Sequence, residues 1–222
     1  MGMPLQFAPG TDSEYSNTGF ILAGEIIAKV SGQPYGRFVE EQVLLPMGIK
    51  RTALWPAGGK YLPEVALRHL AGALTPLPPM HLPMVDAAGG WFASVVDLMR
   101  FLTSIDNSRG KSILNAKTRD LMREPPPPPL KRRDNGTWFG LGWDIVGENG
   151  EKYGYYKEGS YQGMRTFMKR LGSGINWALL YNASMEFDPV DKRMLSATAE
   201  EVQQLIEGIE NYPDVDLFEE YP

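Results

Sequence analysis

The chain has 222 residues, 43% of them hydrophobic, with 22 Lys and Arg against 27 Asp and Glu and a formal net charge of −5. That apolar content suffices for a sizeable core, and the acidic balance with scattered basic residues argues against a nucleic-acid partner, which needs a positive footprint for phosphate. The absence of cysteine removes disulfides, thiolate metal sites and a cysteine nucleophile.

In chain order, Phe20, Ile21, Ala23, Ile26, Ile27 and Val30 form a stripe at helical spacing that stops at Gly32, a normal C-terminal glycine. A second, shorter helix is expected around YGRFVEEQVLLPMG. A third starts at Ser94 in SVVDLMRFLTSI, with a serine cap and an acid three residues on. Between them, the prolines of LTPLPPMHLPMVDAAGG forbid regular structure for most of its length and predict a long ordered loop. A short helix begins at Asn115, and Pro125 to Pro129 impose an extended, semi-rigid connection, with a proline-motif docking site as the less favoured reading.

Beyond the prolines the texture turns to strands. TWFGLGWDIV, a turn at Asn149-Gly150, EKYGYYKEG, MRTFMKRL, a turn over Gly172 to Gly174 and INWALLYNA predict an antiparallel meander. A closing helix over 196–209 is expected to cover the sheet through Val202, Leu205, Ile206 and Ile209. The acidic YPDVDLFEEYP reads as a solvated end that packs a few aromatics. The expected fold class is α+β. A mainly helical lobe over 1–124, a Pro-rich connection over 125–136 and a meander with its helix over 137–222 make one structural domain with two lobes. No run approaches the roughly 18 apolar residues of a bilayer-spanning helix, and the opening MGMPLQFAPG lacks the charged and apolar regions of a signal peptide. A soluble chain is expected, its compartment left open.

Conventional sites fail on geometry. His69 and His81 lack ligand spacing to any carboxylate cluster, so no metal and no cofactor is expected. There is no Gly-x-Ser-x-Gly elbow, and the GENG and GSG strings read as hairpin turns, not phosphate loops.

What remains is EYSNTG at residues 14–19, a tyrosine and an asparagine two apart ahead of a helix. With its flank through VLLPMGI, this stretch resembles the second-motif region of the serine β-lactamase and penicillin-binding superfamily. The likeness is to the branch of class C β-lactamases, D-alanyl-D-alanine carboxypeptidases and family VIII esterases. The Tyr-x-Asn element falls on Tyr15, Ser16 and Asn17. AAGGWFASVVDLMRFLTSI and FGLGWDI resemble the glycine pair with its helix and the Gly-Leu-Gly-Trp strand. YYKEGSYQGMRTFM is similar to the third-motif strand, with Lys157, Glu158 and Gly159 at the motif.

The resemblance implies a serine acyl hydrolase. A phenol with an ordinary pKa near 10 becomes a base for serine only beside cations that stabilise phenolate, roles that fall to Tyr15 and Lys157. Asn17 would donate its amide to a substrate carbonyl, Gly159 would let substrate lie along the strand edge, and the backbone N–H of Ser160 would form half of an oxyanion hole. Each has a plain rival: Asn17 as a helix cap, Tyr15 as a half-buried aromatic, Lys157 as a solvated strand residue, Gly159 as relief for a bulge.

Two departures qualify the likeness. The first motif, Ser-x-x-Lys, should lie upstream of Tyr15, yet the one such string is Ser108 to Lys111, in the polar loop DNSRGKS. The chain therefore resembles a serine hydrolase lacking its first strands and nucleophile helix, or a non-catalytic remnant that binds a ligand or partner. In addition, Glu158 stands where β-lactamases carry a hydroxyl, and it would repel a substrate carboxylate. A small ester, amide or peptide substrate is expected ahead of a β-lactam. In the family fold early strands pair with late ones, so an open sheet edge and a homo-oligomer are expected.

Overall fold

The computed structural model describes residues 4–55, 63–70, 76–78, 85–109, 112–130, 132–134, 136–147, 154–184 and 191–221. The expected turn at Asn149-Gly150, about half of the proline-rich stretch 74–90 including His81, and Gly110 and Lys111 lie outside the described residues; the end of that stretch, expected as loop, forms the short helix Asp86–Gly89.

Helix α1, Asn17–Ser31, begins where Ser16, in extended conformation, accepts a hydrogen bond from the Gly19 N–H. It ends at Gly32 in the left-handed region, whose N–H donates to the Ala28 carbonyl. Its packing departs from the apolar stripe. The buried position is Gly24, against α3 (Asp86–Gly89) and the ring of Tyr35, where a Cβ would meet Ala87 Cβ at 2.5 Å. A glycine lets the two helices approach at that point. Phe20, Ile26 and Val30 are 37%, 63% and 82% exposed, because the described residues hold α1 by its glycine side and leave the expected apolar side uncovered.

Helix α2, Tyr35–Val39, runs into a π-turn over Glu40–Leu44 and a 3-10 turn over Leu45–Met47 that stops at Gly48, also left-handed. A two-stranded pair follows, β1 (Ala53–Leu54) with β3 (Trp91–Phe92); β2 (His69–Leu70) pairs in parallel with β9 (Ala183–Ser184). Helix α4, Val95–Asp106, starts at the Ser94 cap. Its Asp97 is 1% exposed and accepts from the Arg51 N–H, the Thr52 hydroxyl and Arg100, which fastens the turn after α2 to α4.

Helix α5, Ala116–Leu121, is capped by Asn115. The proline run that follows is not extended throughout: it folds back in a turn closed by the Leu130 N–H on the Pro127 carbonyl.

The main sheet is antiparallel in the order β4-β5-β6-β7-β8, formed by Trp138–Phe139, Asp144–Val146, Gly154–Tyr161, Met164–Arg170 and Asn176–Tyr181. A tight turn at Gln162-Gly163 joins β6 to β7, with Gly163 in the left-handed conformation a two-residue hairpin demands. One sheet face meets α4. There Arg170 Nε lies 3.0 Å from the buried Asp106 carboxylate, and Asn176 donates to the same oxygen at 2.7 Å. Lys169, pointing the other way from β7, donates to Gln203 of α6, Asp191–Glu207. α6 thus meets the opposite face through Gln203; of the side chains expected to cover the sheet, Leu205 is 72% exposed and Ile209, 45% exposed, lies beyond the helix end at Glu207.

Leu102 and Ile105 of α4 share one buried cluster with Trp138, Trp143, Ile145 and Tyr155 of the sheet. The core therefore crosses the proline run, and β4 is tied back to α5 by the Trp138 indole N–H on the Arg123 and Glu124 carbonyls. Among the described residues no helix is long and apolar enough to cross a membrane.

Candidate active site

The cap at Ser16 fixes the turn into α1, and that turn sets the site. Ser16 spends its side chain on the Gly19 N–H, so Asn17, the first helical residue, is free of capping; the capping alternative for Asn17 is thereby corrected. The Tyr15 hydroxyl donates to Asn17 Oδ1 at 3.2 Å. With its oxygen engaged in this way, the Asn17 amide directs its two N–H donors elsewhere.

Tyr15 is 44% exposed, and its ring leans on Phe20 and Phe139 at centroid distances of 6.1 and 6.2 Å. Lys157 Nζ stands 4.8 Å from the centroid of the Tyr15 ring and 5.9 Å from that of Phe20, within the range of a cation–π contact. The ammonium is also 3.7 Å from Asp144 Oδ2, while Asp144 Oδ1 takes Arg133 at 2.9 Å. The Arg133 guanidinium lies 3.6 Å over Phe139 and donates to the Thr137 hydroxyl. Two cations therefore share one nearly buried carboxylate inside a frame of three aromatic rings. The same carboxylate acts on its cross-strand neighbour: burial first, then Asp144 and Glu158, push the Tyr156 phenol above its ordinary pKa.

Beyond Lys157 the strand supplies an edge. β5 pairs with β6 only as far as Tyr156, so from Lys157 to Tyr161 the strand is paired on its β7 side alone among the described residues. Gly159 sits opposite Thr166, and a Cβ there would come within 2.8 Å of the Thr166 hydroxyl oxygen. Alternation puts Lys157 and Gly159 on one side of β6 and Glu158 and Ser160 on the other. Glu158 pairs with Arg165 at 3.2 Å, so its charge is largely balanced, which weakens the expected repulsion of a substrate carboxylate. Among the described residues no hydrogen bond joins the exposed Ser160 side chain to Tyr15 or Asn17.

The contacts thus join Tyr15, Asn17 and Lys157 directly, with Gly159 and Ser160 further along β6. Sequence reasoning missed Asp144, Arg133, Phe20 and Phe139. Asp144 carried a usable signal, an acid between Trp143 and Ile145 in an otherwise apolar strand; a carboxylate is buried there only with partners. Ser108, from the one Ser-x-x-Lys string, lies at the far end of α4, its N–H on Asp106 and its neighbour Arg109 paired with Asp216. His69 belongs to β2, where its N–H donates to the Asn182 carbonyl.

An antiparallel sheet faced by helices on both sides, with a Tyr-x-Asn turn opposite a strand lysine, defines an α+β fold of the β-lactamase and penicillin-binding type. Comparison with known proteins agrees: the family model described as Beta-lactamase matches residues 1–199, and the chain belongs to that family. It is 31% identical over 98 residues to the D-alanyl-D-alanine-carboxypeptidase/endopeptidase AmpH of Escherichia coli K12, a match covering 44% of this chain and 24% of AmpH. An octameric penicillin-binding protein homologue from Pyrococcus abyssi superposes with a TM-score of 0.65 at 25% identity, over 86% of this chain and 44% of that one. The D-amino acid amidase of Ochrobactrum anthropi SV3 superposes with a TM-score of 0.67 at 26% identity, over 88% and 58%. The chain therefore spans about a quarter of the curated relative and about half of these solved chains.

Proposed function

We propose that the cleft beside Tyr15 is the proton-transfer and carbonyl-binding side of a serine acyl hydrolase site, acting on esters, amides or D-amino peptides in preference to β-lactams. The observation that carries the reading is the Lys157 ammonium 4.8 Å over the Tyr15 ring while the Tyr15 hydroxyl orients Asn17. In this reading the Tyr15 oxygen relays the proton of an attacking serine or water, with the Lys157 ammonium over its ring. Asn17 donates an amide N–H to the substrate carbonyl. Gly159 leaves room for substrate along the open stretch of β6, and the Ser160 N–H contributes to an oxyanion hole. The D-amino acid amidase and the carboxypeptidase among the similar proteins support amide and D-peptide substrates over β-lactams. Glu158 supports the same preference, since it occupies Arg165 and leaves no free hydroxyl or cation at that position.

These 222 residues hold no Ser-x-x-Lys ahead of Tyr15, so the chain by itself is proposed to be inactive. A fluorophosphonate or penicillin probe followed by intact-mass spectrometry tests the first point: no acyl or phosphonyl adduct is expected, and a stoichiometric adduct on any serine sinks the inactivity. Binding of D-phenylalanine amide, followed by calorimetry with wild type and Tyr15→Phe, tests the cleft; equal binding by both removes Tyr15 from it.

Self-association belongs to the same proposal. β8 is paired only with β7 among the described residues, α1 exposes Ile26 and Val30, and a similar protein is octameric. An open edge and an uncovered apolar side both favour a partner copy.

A further inference from the structure

β6 carries a third side chain on the cleft side that the proton-transfer chemistry does not use. Alternation places Tyr161 with Lys157 and Gly159, on the side that faces Tyr15, at the far end of the stretch paired to β7 alone among the described residues. At about 3.3 Å per residue, the strand from Lys157 to Tyr161 spans roughly 13 Å. A substrate whose carbonyl is held by the Ser160 N–H therefore has the Lys157 charge behind it and the Tyr161 ring ahead of it.

Tyr161 is 43% exposed, yet its ring is not loose. The Arg68 guanidinium lies 5.6 Å from the ring centroid, and Arg68, 9% exposed, donates to the carbonyls of Gln162 and Pro78. The hairpin turn is pressed onto the same segment. A Cβ at Gly163 would fall 2.3 Å from Leu77 Cδ1 and 3.0 Å from Arg68 Cβ, and the Leu77 N–H donates to the Arg68 carbonyl at 2.8 Å. A nearly buried cation thus holds one side of the ring, while nearly half of the residue's surface stays open. The Tyr161 hydroxyl makes no hydrogen bond among the described residues, so what is presented is the ring.

Between that ring and Lys157 the floor is low. Gly159 has no side chain, and a Cβ there would already meet the hydroxyl oxygen of its cross-strand partner Thr166 at 2.8 Å. The bare position lets a substrate backbone lie close to the strand, and the next side chain along β6 on that side is Tyr161.

We propose that Tyr161 is a specificity-determining residue of the cleft: its ring, braced by Arg68, takes the apolar, preferably aromatic, side chain of the D-amino amide or peptide whose carbonyl sits at Ser160. This deepens the function proposed above and rests on it. The ring offers face and edge contacts that a methyl side chain cannot fill, and because Arg68 already holds it, little freedom is lost when it is used.

Calorimetric titration of the full chain with D-phenylalanine amide and D-alanine amide tests the assignment. Wild type is expected to bind the phenyl ligand at least about fivefold more tightly, the scale of partly burying one aromatic side chain. Tyr161→Ala should abolish that preference by weakening D-phenylalanine amide alone, and Tyr161→Phe should keep it, since the ring and not the hydroxyl is used. Tyr15→Phe, at the other end, should weaken both amides and leave their ratio intact. Equal affinities in wild type, or a preference that survives Tyr161→Ala, overturn the role of Tyr161 while leaving the cleft standing. Binding of neither amide by wild type overturns the cleft and this subsite together.

Discussion

Two single residues carry sharp consequences. The Tyr155 hydroxyl is buried in the core without a hydrogen-bond partner among the described residues, and its ring meets Trp143 edge-on at 4.9 Å. A buried donor without a partner costs about 1–3 kcal/mol, so Tyr155→Phe is expected to leave the melting temperature unchanged or raise it. Burial, and secondarily Asp106, push the Tyr155 phenol above its ordinary value. The folded state thus holds this proton more tightly than the unfolded chain does. Its contribution is fully present below about pH 10, the unfolded value, and is lost as pH rises beyond it. Unfolding followed across pH 9 to about 12 should show a shallower alkaline decline in Tyr155→Phe than in wild type; parallel curves would refute the assignment. At the cleft, Asp144→Asn removes the carboxylate shared by Arg133 and Lys157. A loss of about 1–3 kcal/mol is expected, together with weaker binding of D-phenylalanine amide, since Lys157 loses one of the groups that hold it over Tyr15.

At the scale of elements, the joints between helix and sheet are the vulnerable points. Asp106 is the buried carboxylate that receives Arg170 and Asn176, and replacing it with alanine strands a guanidinium against α4. A buried pair broken on one side costs about 3–5 kcal/mol, so Asp106→Ala should lower the denaturant midpoint strongly; a change under about 1 kcal/mol would mean water takes over the pair. Gly140 makes the other joint. A Cβ there would fall 2.2 Å from the Met122 carbonyl oxygen, which accepts the Leu141 N–H, and Gly140→Ala is expected to part β4 from α5. Much of this level could be read in the sequence: the caps at Ser94 and Asn115 and the stop at Gly32 fall where local chemistry puts them, and the Gly174 turn follows its glycines. The packing of α1 could not, because the Phe20 to Val30 stripe states only that one side is apolar. Which side meets α3 was decided by Gly24 and Ala87, far apart in sequence. The site shows the same division. Tyr15, Asn17 and Lys157 stood out through motif likeness, whereas Arg133 and Phe139 enter it through the register of β4 on β5, a tertiary fact with no local trace.

For the whole molecule, the decisive feature is one core shared by α4 and the sheet. Helical residues before the proline run and strand residues after it are buried against each other, so cutting the chain within Pro125–Pro129 should not yield two folded halves. Limited proteolysis there is expected to be followed by loss of both far- and near-ultraviolet dichroism; a stable strand half would contradict the shared core. The open side of β8 and the exposed positions of α1 set the solution behaviour. At about 25 cal/mol per Å² of apolar surface, even about 600 Å² covered on each copy is worth on the order of 30 kcal/mol per pair before entropy costs. Light scattering of purified chain should therefore report more than a monomer mass.

The clustering of indoles also makes the protein its own optical instrument. Trp138, Trp143 and Trp177 are 1%, 4% and 7% exposed, and all three belong to the sheet half, while Trp91 lies in β3 and Trp55 directly follows β1. Emission should be dominated by the buried three and lie to the blue, with Tyr155 passing its excitation to Trp143 across 4.9 Å. A ligand entering beside Tyr15 would leave that signal nearly untouched, whereas opening of the sheet would shift it to the red, so occupancy of the cleft and integrity of the core can be followed as separate colours in one cuvette.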